Sequence, residues 1–389
     1  MASVLSGIVA GLGWAVLGLS LVGSVYMIAA AITLRAFFAR PVPAPARRGD
    51  AVTILKPLHG AEPRLADNLA SFLAQDHDGP IQLLCGVQSA DDPAIAAVET
   101  LRARFPEARI DIVVDPTRHG ANGKIANLLN LEPHIAHGVI ALSDSDIVAG
   151  PGYLSGLLAA LDQPGTGAVT IAYAGRGDAS FWSTVAAAGL SWQFLPGIVF
   201  GTAHRLAQPC MGSTIAMRRE TFAAIGGFAS FADVLADDYA IGQAIAARGL
   251  AVTIPPMMVT HASIERSFAE LWRHELRWGV TVRDVVPISY AMEVICMPLP
   301  LALLSLLAHP LPGLAAAGLA LLARFSTAII ADRCAGRRTA PLWLLPLRDC
   351  LTFAVFIASL GARSVDWRGT TLKMVERGRI AAQPELPSS

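Results

Sequence analysis

No charged side chain occurs between Met1 and Leu34, and about 20 apolar residues are enough to cross a bilayer as a helix. The first basic residues, Arg35, Arg40, Arg47 and Arg48, follow the apolar run instead of preceding it. A cleavable signal peptide would want a basic start and a shorter apolar region, so a retained membrane span is expected here. By the positive-inside rule that order also places the next stretch of chain in the cytosol. Charge is scarce throughout, at 15% of residues, and balanced, with 30 Lys+Arg against 30 Asp+Glu. Nothing in that balance favours nucleic acid or another strongly charged polymer as a partner. Cysteine is sparse too: Cys85, Cys210, Cys296, Cys334 and Cys350 form no CxxC pair and no His/Cys cluster at zinc spacing. A zinc finger and a secreted disulfide framework are thereby excluded, leaving reduced thiols that act as small apolar fillers. What the chain has in abundance is apolar character, with 53% hydrophobic residues over 389 and a mean hydropathy of +0.50, so part of it belongs in lipid.

Beyond the first span, Pro41-Val-Pro-Ala-Pro-Ala46 is a stiff linker that cannot continue a helix, and a domain boundary follows near residue 50. Short β-rich runs then alternate with helical stretches. Val52 to Leu55, Ile81 to Val87, Ile110 to Val114, Val139 to Leu142 and Val169 to Tyr173 are separated by segments such as Arg64 to Ala74 and Pro93 to Phe105. Such alternation predicts an α/β fold with a mostly parallel sheet and helices on its faces. Phe181 to Leu206 is apolar and aromatic but interrupted by Pro196, Gly197 and Gly201, which reads as a helix hairpin lying on the membrane. Val285 to Ala308 and Leu311 to Ala331 read as two antiparallel spans joined at His309-Pro310. Pro341 to Leu360 is apolar but carries Arg348 and Asp349 near its middle, where charge in lipid is expensive. Were it a simple span, the basic tail would lie outside the cell. Three spans are therefore expected, with 341–361 left open between a span and a re-entrant or surface hairpin.

The sharpest chemical signal is Leu142-Ser-Asp-Ser-Asp-Ile147, directly after a strand-like run. Asp144 and Asp146 supply oxygen ligands suited to Mg²⁺ or Mn²⁺, and such an ion neutralises a diphosphate leaving group. Asp91-Asp92-Pro93 follows a second strand and should share its carboxyl edge, where open α/β sheets bind ligands. A carboxylate there can accept hydrogen bonds from a uracil or ribose, and can equally cap the next helix. His119-Gly-Ala-Asn-Gly-Lys124 is a glycine-bearing loop opening a helix, which offers backbone N–H groups and Lys124 to a nucleotide. Asp237 and Asp238 sit together at a helix start; they either cap the helix dipole or supply a general base for an acceptor hydroxyl. His274-Glu-Leu-Arg277-Trp278 lies on an amphipathic helix. There Arg277 can pair with diphosphate and Trp278 can stack on a sugar or acceptor, the plainer alternative being a membrane-interface anchor.

In order along the chain, Leu55-Lys-Pro-Leu-His-Gly60, Asp91-Asp-Pro-Ala94, Gly123-Lys-Ile-Ala-Asn127, Ser143-Asp-Ser-Asp146, Cys210-Met-Gly-Ser-Thr214, Gly226-Gly-Phe228, Asp237-Asp-Tyr239 and Arg277-Trp278 resemble the family 2-like glycosyltransferases that act on lipids. They are most similar to the ceramide glucosyltransferases of family 21. That resemblance implies a Rossmann-like GT-A fold and a single-displacement, inverting transfer from a UDP-sugar on the cytosolic side. It implies Asp91 and Asp92 at the uridine, Lys124 near the nucleotide, Asp144 on nucleotide and metal, and Asp146 on the metal. Asp238, with Asp237, is then the base, and Arg277 and Trp278 serve diphosphate and acceptor. Trp182, Trp192, Phe194 and His274 are candidates for admitting the lipid. Two positions depart from the family: His274 replaces a Gln or Arg, and Asp237-Asp238 replaces Glu-Asp.

Phe231 to Gly242, His274 to Trp278 and Trp343 to Asp349 further resemble bacterial hopanoid-biosynthesis glycosyltransferases. This implies N-acetylglucosamine transfer to bacteriohopanetetrol at a bacterial inner membrane, with glucose transfer to ceramide as the alternative. The expected organisation is an anchor at 1–40, a linker at 41–50, a GT-A catalytic domain at 51–284 with an interfacial insert at about 181–206, membrane segments at 285–361 and a cytosolic tail at 362–389. A processive polysaccharide synthase would need more spans. A catalytically inactive membrane scaffold would have no reason to keep mutually repelling carboxylates at every motif.

Overall fold

The computed structural model describes residues 2–42, 49–362, 364–367, 370–374 and 378–382. Most of the proline linker (43–48) and the far tail (383–389) lie outside the described residues. The chain divides into two compact units. One, α/β, comprises Arg40–Ala174, Ala207–Ile264 and Thr371–Ser389; the other, helical, comprises Met1–Ala39, Gly175–Leu206 and Glu265–Thr370.

In chain order, α1 (Ala2–Phe38) is followed by β1 (Val52–Pro57), α2 (Leu65–Ala70), β2 (Ile81–Val87), α3 (Ala94–Arg104) and β3 (Arg109–Val114). Then come α4 (Gly123–Leu131), β4 (Val139–Leu142), β5 (Ile147–Val148), α5 (Tyr153–Leu161), β6 (Thr166–Thr170) and β7 (Ala172–Gly177). Next are α6 (Phe181–Gly189), α7 (Leu195–Ala203), β8 (Ile215–Arg218), α8 (Arg219–Ala224), α9 (Asp237–Ala246), β9 (Ala251–Thr253) and β10 (Met258–Ser263). The last five helices are α10 (Phe268–Val285), α11 (Pro287–Met292), α12 (Pro298–Ser305), α13 (Pro310–Cys334) and α14 (Leu345–Gly361).

The α/β unit is built on a seven-stranded sheet in the order β3-β2-β1-β4-β8-β6-β9. β1, β2 and β4 are nearly continuous apolar runs because both their faces are covered. β1 pairs in parallel with β2 (Leu55 opposite Leu84) and with β4 (Leu55 opposite Leu142), whereas β8 runs antiparallel to β4. The expected mostly parallel sheet is thus present, with β8 as its antiparallel member. Leu55, Leu84, Ile125, Leu128 and Ile245 in the central core are 0% exposed, and each such side chain contributes about 1.5 to 3 kcal/mol by leaving water. Strand order reverses between β1 and β4, so their carboxyl ends open a crevice, the usual ligand position in an open α/β sheet. A smaller sheet in the order β5-β10-β7 brings β10 beside the end of β4. One tail strand position, Arg379, bridges to Val234, and the Leu235 N–H donates to the Gly378 carbonyl at 2.8 Å.

In the helical unit, α1 and α13 run side by side in the same direction. The His309 ring bonds the Ala10 carbonyl near one end, and Thr327 Oγ1 donates to the Met27 carbonyl further along. Ala302, Ala316, Ala317 and Ala320 line their contact with Leu17 and Leu299; such small residues let helix backbones approach closely in lipid. Four helices among the described residues are long and apolar enough to cross a membrane: Gly7–Phe38, Phe181–Ala203, Pro310–Cys334 and Leu342–Gly361. The protein is membrane-associated.

Two expectations change. The stretch read as one span at 285–308 is a pair, Pro287–Cys296 and Pro298–Ser305, bent by 67°. Met297 leaves helical geometry (φ −120°, ψ 54°) directly before Pro298, whose ring forbids continuation of the preceding helix. The stretch read as a hairpin at 181–206 is instead helical throughout Phe181–Ala203. Leu190–Phe194 forms a π-helical turn, and Pro196 follows in the first turn of α7, where its missing N–H costs little. The fourth stretch, left open, is a helix whose two mid-segment charges are paired: Asp349 with Arg324, and Arg348 with Glu275.

Candidate active site

The acidic turn leaves β4 at Ser143 and is fixed at every step. The Ser143 N–H donates to the Leu55 carbonyl at 3.1 Å, prolonging the β1 pairing by one residue. Lys56 Nζ donates to Ser143 Oγ (3.0 Å) and to the Asp144 main-chain carbonyl (2.8 Å). Ser145 Oγ donates to Glu62 Oε1 at 2.7 Å, and the Asp146 carbonyl accepts from the Ala262 N–H at 2.7 Å. Asp146 Oδ2 lies 3.2 Å from His261 Nε2 on β10, and Tyr173 stacks on that imidazole with ring centroids 5.6 Å apart.

Lys124 opens α4. Asn122 caps that helix through its side chain, which accepts from the Lys124 and Ile125 N–H groups. Asn122 Nδ2 also donates to the Val234 carbonyl at 2.6 Å, tying this loop to the segment that leads into α9. Lys124 Nζ reaches Asp144 Oδ1 at 2.7 Å and Asp237 Oδ2 at 3.5 Å. Asp238 is held at both oxygens by main-chain donors, the Tyr239 N–H at 2.8 Å and the Gly212 N–H at 3.0 Å. Gly212 is the meeting point: a Cβ added there would sit 3.4 Å from Asp144 Oδ2, 3.4 Å from Lys124 Nζ and 3.5 Å from Asp238 Oδ2. Three sequence-predicted residues, Lys124, Asp144 and Asp238, therefore converge on one glycine, and Asp237 joins them through Lys124.

The electrostatics follow from burial. Burial first, then the Asp237 charge, pushes the Asp238 carboxyl up to about 6. Asp237 is also raised, by burial, with Lys124 opposing the shift. Burial alone would lower Lys124, but Asp144 and Asp237 overcome it and hold the ammonium well above its ordinary value. Lys56 goes the other way: burial outweighs Asp144 and Asp146 and lowers it to about 7.

Asp92, at the carboxyl end of β2, accepts from the Gly60 and Ala94 N–H groups, each at 2.9 Å, and His59 lies 3.5 Å away. It ties the loop after β1 to the start of α3. Asp91 beside it is exposed. The remaining candidates belong to the helical unit. His274 Nδ1 donates to the buried Glu265 carboxylate at 2.6 Å, and Trp278 meets the His274 ring edge-on. Arg277 is half-buried on the same helix. Trp182 packs between Phe181 and Phe268. Phe194 is half-buried, whereas Trp192 is 0% exposed, its indole N–H donating to Asp332. Trp192 is thus a packing side chain and offers no surface to a ligand.

Among the described residues no group of three or more His, Cys, Asp or Glu is gathered as a ready metal cage. Mg²⁺ and Mn²⁺ in phosphate-binding enzymes are commonly held through one or two carboxylates plus substrate oxygens and water, and need no cage of that kind. Asp146 and Asp144 are the residues that could offer oxygen donors to such an ion, and the His261 imidazole lies beside Asp146. Lys56 and Gly212 stand inside motifs quoted from the sequence but are given no role there, and His261 and Tyr173 stand in none of them.

Over 228 residues the chain is 26% identical to ceramide glucosyltransferase 3 of Caenorhabditis elegans, covering 56% of this chain and 47% of that protein. It is 25% identical over 226 residues to ceramide glucosyltransferase 1 of the same organism, covering 56% and 45%. The matched stretch is thus about half the length of these relatives. The mannosyltransferase PcManGT of Pyrobaculum calidifontis, solved with GDP-Man and Mn²⁺, is similar in fold with a TM-score of 0.50 at 18% identity, covering 89% of this chain and 99% of that one. The sequence pattern described as Glycosyl transferase family 21 matches residues 15–380. With that match spanning nearly the whole chain and an acidic cluster at the switch point of a GT-A sheet, the chain belongs to glycosyl transferase family 21.

Proposed function

We propose that the enzyme moves a sugar from a UDP-sugar to a hydroxyl group of a membrane lipid, with inversion at the anomeric carbon. The observation that carries this reading is the convergence of Lys124, Asp144 and Asp238 on Gly212, with Asp237 paired to Lys124. The glycine leaves room for a diphosphate against Lys124, and Asp92 with Asp91 faces the uridine from the carboxyl end of β2. A divalent ion on Asp146 and Asp144 would supply positive charge to the departing diphosphate. Asp238, raised by burial and steadied by two main-chain N–H groups, takes the proton of the acceptor hydroxyl as its oxygen bonds the anomeric carbon and the bond to the diphosphate oxygen breaks. Lys124 keeps its proton and pairs with the UDP released. Roles for Arg277 and Trp278 at the diphosphate and acceptor, and for Trp182, Phe194 and His274 in lipid access, rest on motif order alone.

Two acceptors remain. The names of the nematode relatives favour ceramide as acceptor and glucose as the sugar. The wording of Phe231 to Gly242 and of Trp343 to Asp349 supports the second reading, N-acetylglucosamine on a hopanoid polyol at a bacterial inner membrane. Arg35 in the last turn of α1 and Arg40 just after it, and Arg333, Arg337 and Arg338 around the end of α13, support a cytosolic catalytic unit. The deciding experiment offers UDP-glucose and UDP-N-acetylglucosamine, each with ceramide and with bacteriohopanetetrol, to membranes holding the expressed protein. The lipid product is weighed by mass spectrometry. Hexose on ceramide selects the first reading and N-acetylhexosamine on the hopanoid the second; no glycolipid from any pair would overturn lipid transfer to these classes.

A further inference from the structure

Lys56 is 0% exposed, on a central strand, beneath the acidic turn. An ammonium stripped of water persists only where partners replace its hydration shell. Here Ser143 Oγ and the Asp144 carbonyl accept from it, and the Phe72 ring covers it at 3.4 Å from the centroid. Both acceptors belong to the two residues where β4 ends. Backbone pairing between β1 and β4 stops at Leu55 and Leu142, and the single further bond from the Ser143 N–H reaches no deeper into the turn. Beyond that point the Lys56 side chain is what ties β1 to the Asp144 peptide. The aim of the Asp144 carboxylate at Lys124 depends on the orientation of that peptide.

We infer that Lys56 is a positioning residue for donor binding: through Ser143 Oγ and the Asp144 carbonyl it sets the direction in which the Asp144 and Asp146 carboxylates meet the diphosphate and its cation. A hydrophobic residue of the same length would fill the same space against Phe72, leave Ser143 Oγ without that donor, and leave the Asp144 carbonyl with only the longer bond from the Ile147 N–H at 3.4 Å. The inference rests on reading Asp144 and Asp146 as the donor site.

The test uses the full-length protein in detergent, with UDP and Mn²⁺ as probes. UDP affinity is measured by calorimetry over a range of Mn²⁺ concentrations, alongside thermal unfolding and the KM for donor and for acceptor. Lys56→Met is expected to weaken UDP binding about tenfold or more, to raise the Mn²⁺ concentration needed for half-saturation and to leave the acceptor KM unchanged. Ser143→Ala, which removes one of the two acceptors, should give a smaller loss in the same direction, and the two changes together should cost less than their product. A Lys56→Met protein that melts earlier but binds UDP and Mn²⁺ as the parent does would overturn the inference and leave Lys56 as a core residue. If Lys56→Met does not fold, Ser143→Ala decides alone, and unchanged UDP binding by it overturns the proposal. Asp144→Asn and Asp146→Asn separate the two claims: if both keep full UDP affinity, the donor-site reading itself fails.

Discussion

Asp238 combines two features that pull in opposite directions. Two main-chain N–H groups stabilise its charge, while burial and Asp237 oppose it, and the balance settles at about 6. A base works only in its charged form, so transfer should rise as pH increases through the region near 6 and level off above it. That limb lies above the ordinary Asp value of about 3.9. Because the two carboxylates titrate as a pair, Asp237→Asn, which removes a like charge, should move the limb to lower pH; a kcat profile with an unmoved limb would refute the coupling. Asp238→Asn should keep donor binding and lose about 10² to 10⁴ in transfer rate, checked by calorimetry beside a product assay. Gly212→Ala should fold normally and raise the donor KM, since its methyl would occupy the space among Asp144, Lys124 and Asp238. The carboxylates and Lys124 were readable from sequence because each stands at the junction of a strand or loop with a helix, where motif and position coincide. Lys56 was not, because a lysine in a strand looks like a solvated side chain until its partners are known. Gly212 carries no chemistry in its side chain, and His261 and Tyr173 reach the acidic turn only through the small sheet formed by β5, β10 and β7.

At the scale of elements, hydropathy announced which stretches are apolar and roughly how long they are. It could not report how each is bent. The break at Met297 and the π-turn at Leu190–Phe194 depend on local geometry that a run of apolar letters does not encode. The π-turn has a side-chain partner: Arg324 donates to the Trp192 carbonyl at 2.7 Å while forming a bidentate pair with Asp349 at 2.8 and 2.7 Å. Arg324 is 1% exposed and Asp349 3%. Removing one member of a buried pair strands the other, at a cost of about 3 to 5 kcal/mol, whereas replacing both with apolar residues is often neutral. Arg324→Met should therefore destabilise the helical unit markedly, and the double change Arg324→Met with Asp349→Leu should recover most of the loss in a detergent unfolding titration. A double variant as unstable as the single one would show that the Trp192 carbonyl, not Asp349, is the partner that matters.

For the whole molecule, the α/β and membrane character were legible from the alternation of β and helical runs and from the apolar stretches. The division into units was harder to see, since Gly175–Leu206 and Glu265–Thr370 group with α1 although the sequence motif Arg277-Trp278 lies among them. Excess chelator should stop turnover, and Mn²⁺ or Mg²⁺ should restore it; undiminished turnover without divalent ions would remove the role given to Asp146 and Asp144. The Arg324–Asp349 pair also constrains how the protein is made. Arg324 lies on α13 and its counter-charge on α14, which the ribosome completes later. Until α14 arrives, α13 would carry an unshielded cation into hydrocarbon, an expensive state. The two helices are therefore expected to leave the translocation machinery for the lipid together, and a chain ending between residues 335 and 344 should be inserted poorly and degraded, even though it carries Asp144, Asp146, Asp237 and Asp238 intact.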